Sequence, residues 1–304
     1  MQTDHARVPE GRSGFTLVEM LVVLSIILTL AVITVLFMPR FGERQKVPRG
    51  ASLLQGWLMM AKQRAIRDRT ATGVRLQLSA GNLVRDLQYI RKPDDYSPSG
   101  LLIGWAPATR TCTFGPGVNL LGSALSDASS RGDESSLVQA GDYLQLQSGG
   151  LVHQILEVRA SDCKLASDLL PPNVPFPSGP SGGVRFRIIR QPRLLPGEQP
   201  LQLPQDVTID PSQCLNLPTR LSISAGTSQY GYWEVLFSPS GAVVGQGTGN
   251  TPIALRLRDV TQDANTGDQA LIAIYPRTGL IANQPVAVGP DPFLFLRDGR
   301  SSGF

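Results

Sequence analysis

The longest hydrophobic stretch of the chain runs from Phe15 to Met38, and its 24 residues include a single charged side chain, Glu19. A helix that spans a bilayer needs about 20 apolar residues, so this stretch is long enough to cross with some tilt. It is apolar all round, as expected for a helix surrounded by lipid or by other helices. A charge at mid-helix in hydrocarbon costs roughly 2.5–3.5 kcal/mol and less near a helix end, which makes Glu19 a candidate functional residue. Residues 1–14 are polar and are interpreted as a leader.

The segment after the hydrophobic stretch, residues 39–72, combines helix-breaking and helix-forming signals. Pro39 and Pro48, together with nearby glycines, predict a kinked or locally melted stretch, because an interior proline removes a helix hydrogen bond. Helical periodicity resumes at Ala51 and predicts an amphipathic helix that ends near Thr70–Gly73. The apolar positions that form one stripe on this helix are Leu53, Leu54, Trp57, Leu58, Ala61 and Ala65.

From Gly73 onward the hydrophobic period becomes two, so residues 73–304 are expected to form a β-rich head. Residues 93–140 are rich in Pro, Gly, Ser and Asp and are interpreted as a partly disordered insertion with a short strand at Leu101–Trp105. Pro171–Gly183 is expected to be a linker. The predicted class is α+β, with a long N-terminal helix packed on a mostly antiparallel sheet or sandwich-like head. Strands are predicted at Val74–Leu78, Leu83–Ile90, Tyr143–Leu146, Val152–Val158, Val184–Ile189, Val207–Ile209, Leu221–Ile223, Trp233–Phe237, Ala242–Val244, Ile253–Leu257 and Leu271–Tyr275.

The composition favours a β-rich domain outside the cytoplasm over a nucleic-acid-binding protein. Only 17% of residues are charged, while the chain has 31 glycines and 24 prolines. The net charge of +4 is modest for 304 residues. Nucleic-acid binding requires basic residues gathered on one face. One dense basic cluster exists, and it is either such a face or an ordinary solvated helix surface: Lys62, Arg64, Arg67 and Arg69.

The chain has three cysteines, Cys112, Cys163 and Cys214. An odd number allows at most one internal disulfide, with one thiol left over, and the sequence leaves the pairing open. A location outside the cytoplasm would permit such a bridge. There is no Cys-x-x-Cys motif, which argues against a metal or redox site.

No pattern in the sequence favours an enzyme, a cofactor or a bound metal. One of the two histidines, His5, lies in the leader, so a Ser-His or Cys-His site would have to use His153. The segment Gly179–Gly183 matches Gly-x-Ser-x-Gly, but that elbow requires a strand before the serine and a helix after it. Here a linker precedes the serine and a strand pattern follows it, so the segment is interpreted as a turn and His153 as a structural or surface residue.

The six residues at the start of the hydrophobic stretch, Gly14-Phe15-Thr16-Leu17-Val18-Glu19, resemble the signature of type IV prepilins and pseudopilins. The resemblance implies cleavage after Gly14 by a prepilin peptidase and N-methylation of the new terminus, Phe15, by the same peptidase/N-methyltransferase. It also implies that Glu19 acts in filament assembly. The implied partners are other pseudopilins or pilins and an inner-membrane assembly platform.

A second resemblance lies in the C-terminal part, to the H-type minor pseudopilins of type II secretion and to related minor type IV pilins. Those proteins carry a Leu-Pro-x-x-Val strand, a Phe-x-Pro-x-Gly hairpin and a late Thr-Gly turn. The matching segments here are Leu203–Val207, Phe237–Gly241 and Thr278–Gly279. The insertion and the segment from Tyr143 to Ile189 make this head larger than is usual for the family.

The expected function is a minor pseudopilin-like structural subunit of a type II secretion pseudopilus. The alternatives are a minor type IV pilin for pilus assembly or DNA uptake, and a membrane-anchored protein that does not polymerise. The resemblance implies a single pass through the bacterial inner membrane with the head in the periplasm. The basic residues Arg40, Arg44, Lys46 and Arg49 after the span outnumber Arg7 and Arg12 before it, and this count alone would place the head in the cytoplasm.

Overall fold

The structure is a computed structural model that describes residues 16–43, 45–79, 81–122, 137–146, 151–170, 176, 182–219, 221, 231–245, 247–263, 267–287 and 289–298. The chain divides into two compact units, Met1–Lys46 and Val47–Phe304. Helix α1 (Leu17–Glu43) belongs to the first unit, and nearly all of helix α2 (Lys46–Asp68) belongs to the second. A short helix, α3 (Leu294–Asp298), lies near the C-terminus.

The two prolines that were expected to disturb the helices both lie within helical segments. Helix α1 continues through Pro39 to Glu43. Helix α2 begins at Lys46, five residues before the predicted resumption at Ala51, and Pro48 is its third residue. A first-turn residue has no intrahelical acceptor for its N–H, so proline is tolerated there. Helix α2 ends before Arg69, whose φ of +53° is the left-handed conformation common just after a helix.

Sixteen strands follow among the described residues: β1 (Thr72–Leu78), β2 (Val84–Arg91), β3 (Leu102–Ala106), β4 (Thr111–Phe114), β5 (Tyr143–Leu146), β6 (Val152–Val158), β7 (Asp162–Leu165), β8 (Phe186–Ile189), β9 (Arg193–Leu194), β10 (Leu201–Gln202), β11 (Val207–Ile209), β12 (Tyr232–Phe237), β13 (Val243–Val244), β14 (Ile253–Asp259), β15 (Gln269–Tyr275) and β16 (Leu280–Gln284). All of their pairings are antiparallel, which confirms the α+β class with an antiparallel sheet.

The first sheet has the strand order β13-β12-β1-β2-β11-β14-β15-β16, and the short strands β9 and β10 also pair with β2. Helix α2 covers one face of this sheet, where Leu54, Leu58, Ala61 and Ala65 of its predicted stripe are fully buried. Trp57 is partly buried, and Leu53 is 39% exposed, so Leu53 does not belong to the packed face. The buried residues of α2 recur every three or four positions, as one helix face requires. They pack against inward residues of β1 such as Val74 and Leu76, which lie on one face because they are two positions apart. On the opposite face, Leu296 of α3 packs against Ala254 and Ala273. The buried α2 residues are Val47, Gly50, Ala51, Leu54, Leu58, Ala61 and Ala65.

The second sheet has the order β3-β4-β7-β6-β5-β8 and its own hydrophobic cluster. Strands β3 and β4 come from the segment that was interpreted as an insertion. Leu102 and Phe114 from these strands are buried with Leu144 and Ile188, so residues 102–114 form part of this sheet's core. Residues 123–136, where disorder was predicted, lie outside the described residues.

The two sheets are linked by a buried ion pair. Arg193 of β9 belongs to the first sheet, and Asp142 immediately precedes β5 of the second. The Arg193 Nη2 atom lies 3.0 Å from the Asp142 Oδ2 atom, and the Asp142 side chain is 2% exposed. The same carboxylate accepts hydrogen bonds from the backbone N–H groups of Gln139 and Gln191. Burial raises the pKa of Asp142, and these hydrogen bonds oppose the rise.

Most strands coincide with the alternating patterns of the sequence, but several do not. Strands β4, β7, β9, β10 and β16 had no predicted counterpart. The predicted strand Leu221–Ile223 is represented by one bridge between Leu221 and Tyr232, and positions 222 and 223 lie outside the described residues. Much of the predicted linker Pro171–Gly183 also lies outside them.

Candidate functional site

The N-terminus of α1 is capped by the side chain of Thr16. The backbone N–H of Glu19 donates to the Thr16 hydroxyl at 3.3 Å, and the N–H of Met20 donates to the Thr16 carbonyl at 3.2 Å. Glu19 is therefore the third residue of the helix, in the Thr-x-x-Glu arrangement of a capping box. A carboxylate in the first turn also interacts favourably with the helix dipole. This cap was not among the predictions for Glu19, although the Thr-x-x-Glu spacing from Thr16 to Glu19 is its signal in the sequence.

The surface of α1 is apolar on every side over its first two-thirds. The window Leu17–Thr34 has a mean hydropathy of 2.6 and is 0% buried within the chain. The hydroxyls of Ser25, Thr29 and Thr34 donate to backbone carbonyls of the same helix at 2.8–3.0 Å. Each hydroxyl proton is thus satisfied without water, as hydrocarbon requires. The 27 residues of α1 extend about 40 Å, which exceeds the roughly 30 Å hydrocarbon thickness.

The two residues expected at the cleavage and methylation site, Gly14 and Phe15, lie outside the described residues. Cleavage after Gly14 and methylation of Phe15 therefore stay predictions. Glu19 lies within the described residues, and it is exposed in the first turn of α1. Its role in filament assembly is likewise a prediction that a single chain does not test.

The basic cluster on α2 is largely occupied by contacts within the chain. Lys62 Nζ donates to the carbonyls of Thr278 and Gly279 at 3.1 and 2.9 Å. Arg64 forms an ion pair of 2.8 Å with Glu198, and its guanidinium lies 4.5 Å from the centre of the Tyr89 ring. The side chain of Arg67 pairs with the adjacent Asp68. These contacts favour the interpretation of the cluster as part of the head's structure over a phosphate-binding face.

The Lys62 contact brings together two turns from the C-terminal resemblance. Gly241 lies in the turn between β12 and β13 with φ of +84°, and Gly279 lies in the turn between β15 and β16 with φ of +58°. A Cβ at Gly279 would lie 1.8 Å from the Gly241 carbonyl oxygen and 3.3 Å from Cε of Lys62. Only glycine fits this close approach. A third matching segment also meets α2, because Val207 packs over Gly50.

His153, the histidine interpreted as a structural or surface residue, is 5% exposed on β6, so it is buried. Its Nδ1 atom lies 3.0 Å from the hydroxyl oxygen of Ser167. Burial lowers the pKa of His153, which favours the neutral ring. The carboxylate next to this serine, Asp168, accepts a hydrogen bond from Arg110 at 3.1 Å. Among the described residues no group of three or more His, Cys, Asp or Glu residues could hold a metal ion.

The three cysteines are all thiols in the structure, and two of them face each other. Cys112 on β4 is the direct register partner of Cys163 on β7, and both are buried. Cys214 lies elsewhere, after a short 3₁₀ helix (Pro211–Gln213) next to the first sheet's cluster. Sequence spacing gave no signal for this arrangement, because β7 was not among the predicted strands.

Comparison with known proteins identifies the N-terminal segment. Residues 11–35 match the family description "Prokaryotic N-terminal methylation motif". The match includes Gly14, Phe15 and Glu19 and most of the apolar part of α1. No curated protein and no solved structure matches the chain. The prepilin-type methylation motif, which extends over the capped and apolar part of α1, thus supports a type IV pilin-like family for this chain.

Proposed function

We propose that the chain is a minor pseudopilin-like structural subunit of a type II secretion pseudopilus. The observation that carries the proposal is the methylation motif at residues 11–35, placed on a helix whose apolar residues 17–34 are exposed on all sides. Such a helix cannot remain in water, so it must lie in lipid or against other helices. A filament subunit meets this condition at each stage. Its helix lies in lipid before assembly and against the helices of neighbouring subunits in the filament core afterwards.

In this proposal, prepilin peptidase cleaves the bond between Gly14 and Phe15, and the amine of Phe15 is then methylated and stays positively charged. The carboxylate of Glu19 in one subunit pairs with this amine in a neighbour during assembly. Attraction between the two charges is large in a low dielectric, but removing each from water costs several kcal/mol. The pair therefore sets the register of neighbouring helices, and apolar packing of α1 supplies most of the binding free energy.

The first experiment is intact-mass and N-terminal peptide mass spectrometry of the protein extracted from membranes. The expected result is a chain that begins at methylated Phe15. Gly14→Val should block cleavage, because a branched side chain does not fit a subsite that accepts glycine. Gly11→Val, three residues earlier in the leader, is the matched control and should be processed normally. A mature chain that retains residues 1–14 would contradict the proposal and favour an anchored protein that does not polymerise.

The second experiment tests Glu19 by cross-linking subunits in cells. Glu19→Gln keeps the size of the side chain and removes its charge, so incorporation into filaments should fall strongly. Thr29→Val is the matched control, since the Thr29 hydroxyl bonds only to carbonyls of its own helix. Equal incorporation of both variants would refute a register role for Glu19.

A minor type IV pilin is the second candidate, because the same motif precedes the helices of both kinds of subunit. Loss of the gene should leave secreted enzymes in the periplasm if the chain serves secretion, and should remove surface pili if it serves a pilus. The DNA-uptake version is less favoured, since Lys62 and Arg64 are held by the carbonyls of the β15–β16 turn and by Glu198. Salt-dependent DNA binding by the protein would support it.

A further inference from the structure

We propose that Cys112 and Cys163 are joined by a disulfide in the mature protein, and that this bond fastens β4 to β7 at the centre of the second sheet's core. The inference rests on the proposed function in one respect, the location of the head outside the cytoplasm, where disulfides form and persist. It goes beyond that function because it assigns a covalent site and selects one of the three pairings that the sequence leaves open.

The register of the antiparallel pair of β4 and β7 places Cys112 directly opposite Cys163. Two residues away on either side, the Phe114 N–H donates to the Ser161 carbonyl, and the Leu165 N–H donates to the Arg110 carbonyl. Since pair types alternate along an antiparallel ladder, Cys112 and Cys163 also form a hydrogen-bonded pair, with Cα atoms about 5.5 Å apart. Disulfides span Cα distances of roughly 4.4–6.8 Å.

The side chains of both cysteines point to the same interior. Cys112 is 0% exposed and Cys163 is 1% exposed, and both belong to the hydrophobic cluster of the second sheet. The pKa of the Cys163 thiol is raised, first by its hydrogen bond with Cys112 and then by burial. The sulfur atoms are therefore neighbours, and a bridge would replace two buried thiols with an apolar group.

The third cysteine is held apart from this pair. The Cys214 thiol donates to the carbonyl of Asp210 at 3.2 Å and accepts from the N–H of Arg256 at 3.4 Å. Burial raises the pKa of the Cys214 thiol to about 12. Cys214 packs against the first sheet's cluster, and pairing with Cys112 or Cys163 would pull one of them out of a buried strand.

The bond forms by thiol–disulfide exchange with an oxidised dithiol protein or a small-molecule disulfide, before the strands are fully buried. The thiolate of one cysteine attacks the donor disulfide and forms a mixed disulfide, and the second thiolate then displaces the donor. Together the two cysteines lose two electrons and two protons. The donor disulfide gains these electrons and protons and leaves as a dithiol protein or as two small-molecule thiols.

Peptide mapping of the protein from membranes, alkylated at lysis and digested with trypsin without reductant, tests this inference. Cleavage after arginine and lysine separates the cysteines into peptides 111–131, 160–164 and 194–220. The expected product is peptide 111–131 linked to 160–164, two hydrogens lighter than their sum, with 194–220 alkylated. Any link to 194–220, or alkylation of all three peptides, would overturn the pairing.

The same digest separates failure of this inference from failure of the proposed function. A chain that begins at methylated Phe15 but carries alkylated Cys112 and Cys163 contradicts the disulfide and leaves the pseudopilin proposal standing. A chain that retains residues 1–14 contradicts that proposal whatever the state of the cysteines.

A stability measurement adds a readout that does not depend on the peptide map. In the detergent-solubilised full chain, a reductant should raise the equilibrium constant of unfolding by roughly 30- to 700-fold. The double variant Cys112→Ala/Cys163→Ala should not respond to reductant. Cys214→Ala should respond like the wild type, and its failure to respond would contradict the proposed pairing.

Discussion

Gly279 lies where the turn between β15 and β16 touches the turn between β12 and β13, and replacing it with alanine should destabilise the head markedly. A non-glycine residue in the left-handed conformation costs about 1–2 kcal/mol. The new Cβ would also lie 1.8 Å from the carbonyl oxygen of Gly241. No rotamer change relieves a clash with backbone, and overpacking of this kind costs about 1–3 kcal/mol. The expected loss in the free energy of unfolding is therefore about 2–5 kcal/mol for Gly279→Ala.

Gly197 provides a matched control that separates backbone strain from the clash. Its φ is +81°, but no atom lies within 4 Å of the position that a Cβ would take. Gly197→Ala should therefore lower the free energy of unfolding only by the backbone strain, about 1–2 kcal/mol. The two variants should differ by about 1–3 kcal/mol, or by about 2–12 °C in Tm for a domain of this size.

The assay is urea unfolding of each full-length variant in mild detergent, followed by tryptophan fluorescence. Trp57 of α2 and Trp233 of β12 both pack against the first sheet's cluster, so their emission reports on this core. Equal losses in Gly279→Ala and Gly197→Ala would refute the reasoning, because they would mean that the two turns separate at little cost. A larger loss in Gly197→Ala would refute it as well.

Two further predictions concern Lys62 of α2 and Glu234 of β12. Lys62→Met should lower the free energy of unfolding by about 1–2 kcal/mol, because two carbonyls lose a charged donor. The control Lys164→Met removes an exposed ion pair of 3.9 Å and should lower it by well under about 1 kcal/mol. Equal losses of the two variants in urea titrations would contradict the role of Lys62. Burial raises the pKa of Glu234 above its ordinary value of 4.5, against the opposing effect of Arg75. The native state therefore holds the Glu234 proton more tightly than the unfolded state does. The free energy of unfolding should then fall as pH rises through the interval above 4.5. Glu234→Gln should flatten this slope in unfolding midpoints measured from pH 4 to 8, and an unchanged slope would exclude Glu234 as its source.

The parts of the fold that the sequence predicted well are those where one strong periodic signal acts alone. The stretch from Phe15 to Met38 needs no tertiary information, since its length and polarity are sufficient. The alternation in β1 and β2 likewise comes from one buried face. Helix α2 begins at Lys46, earlier than the predicted Ala51, because Pro48 lies in the first turn, where a proline costs little.

The parts that could not be predicted depend on contacts between distant segments. Strand β7 has only four residues, with polar Asp162 and Lys164 alternating with buried neighbours. It pairs with the preceding strand β6 and with β4, some fifty residues earlier, and the second pairing has no signal in the local sequence. The role of Lys62 depends on two carbonyls more than 200 positions away, a separation that helical periodicity cannot reveal. The cap formed by Thr16 is different, because its spacing was visible in the sequence and was overlooked.

The first sheet ends on one side at β13, a strand of only two residues, Val243 and Val244. Proteins tethered to a membrane meet one another in two dimensions, where collisions between exposed strand edges are frequent. An edge this short offers a neighbouring sheet very few free backbone donors and acceptors, so it is a poor template for uncontrolled strand addition. If the chain is anchored and assembles as proposed, association would run through α1, while the head resists aggregation along this edge.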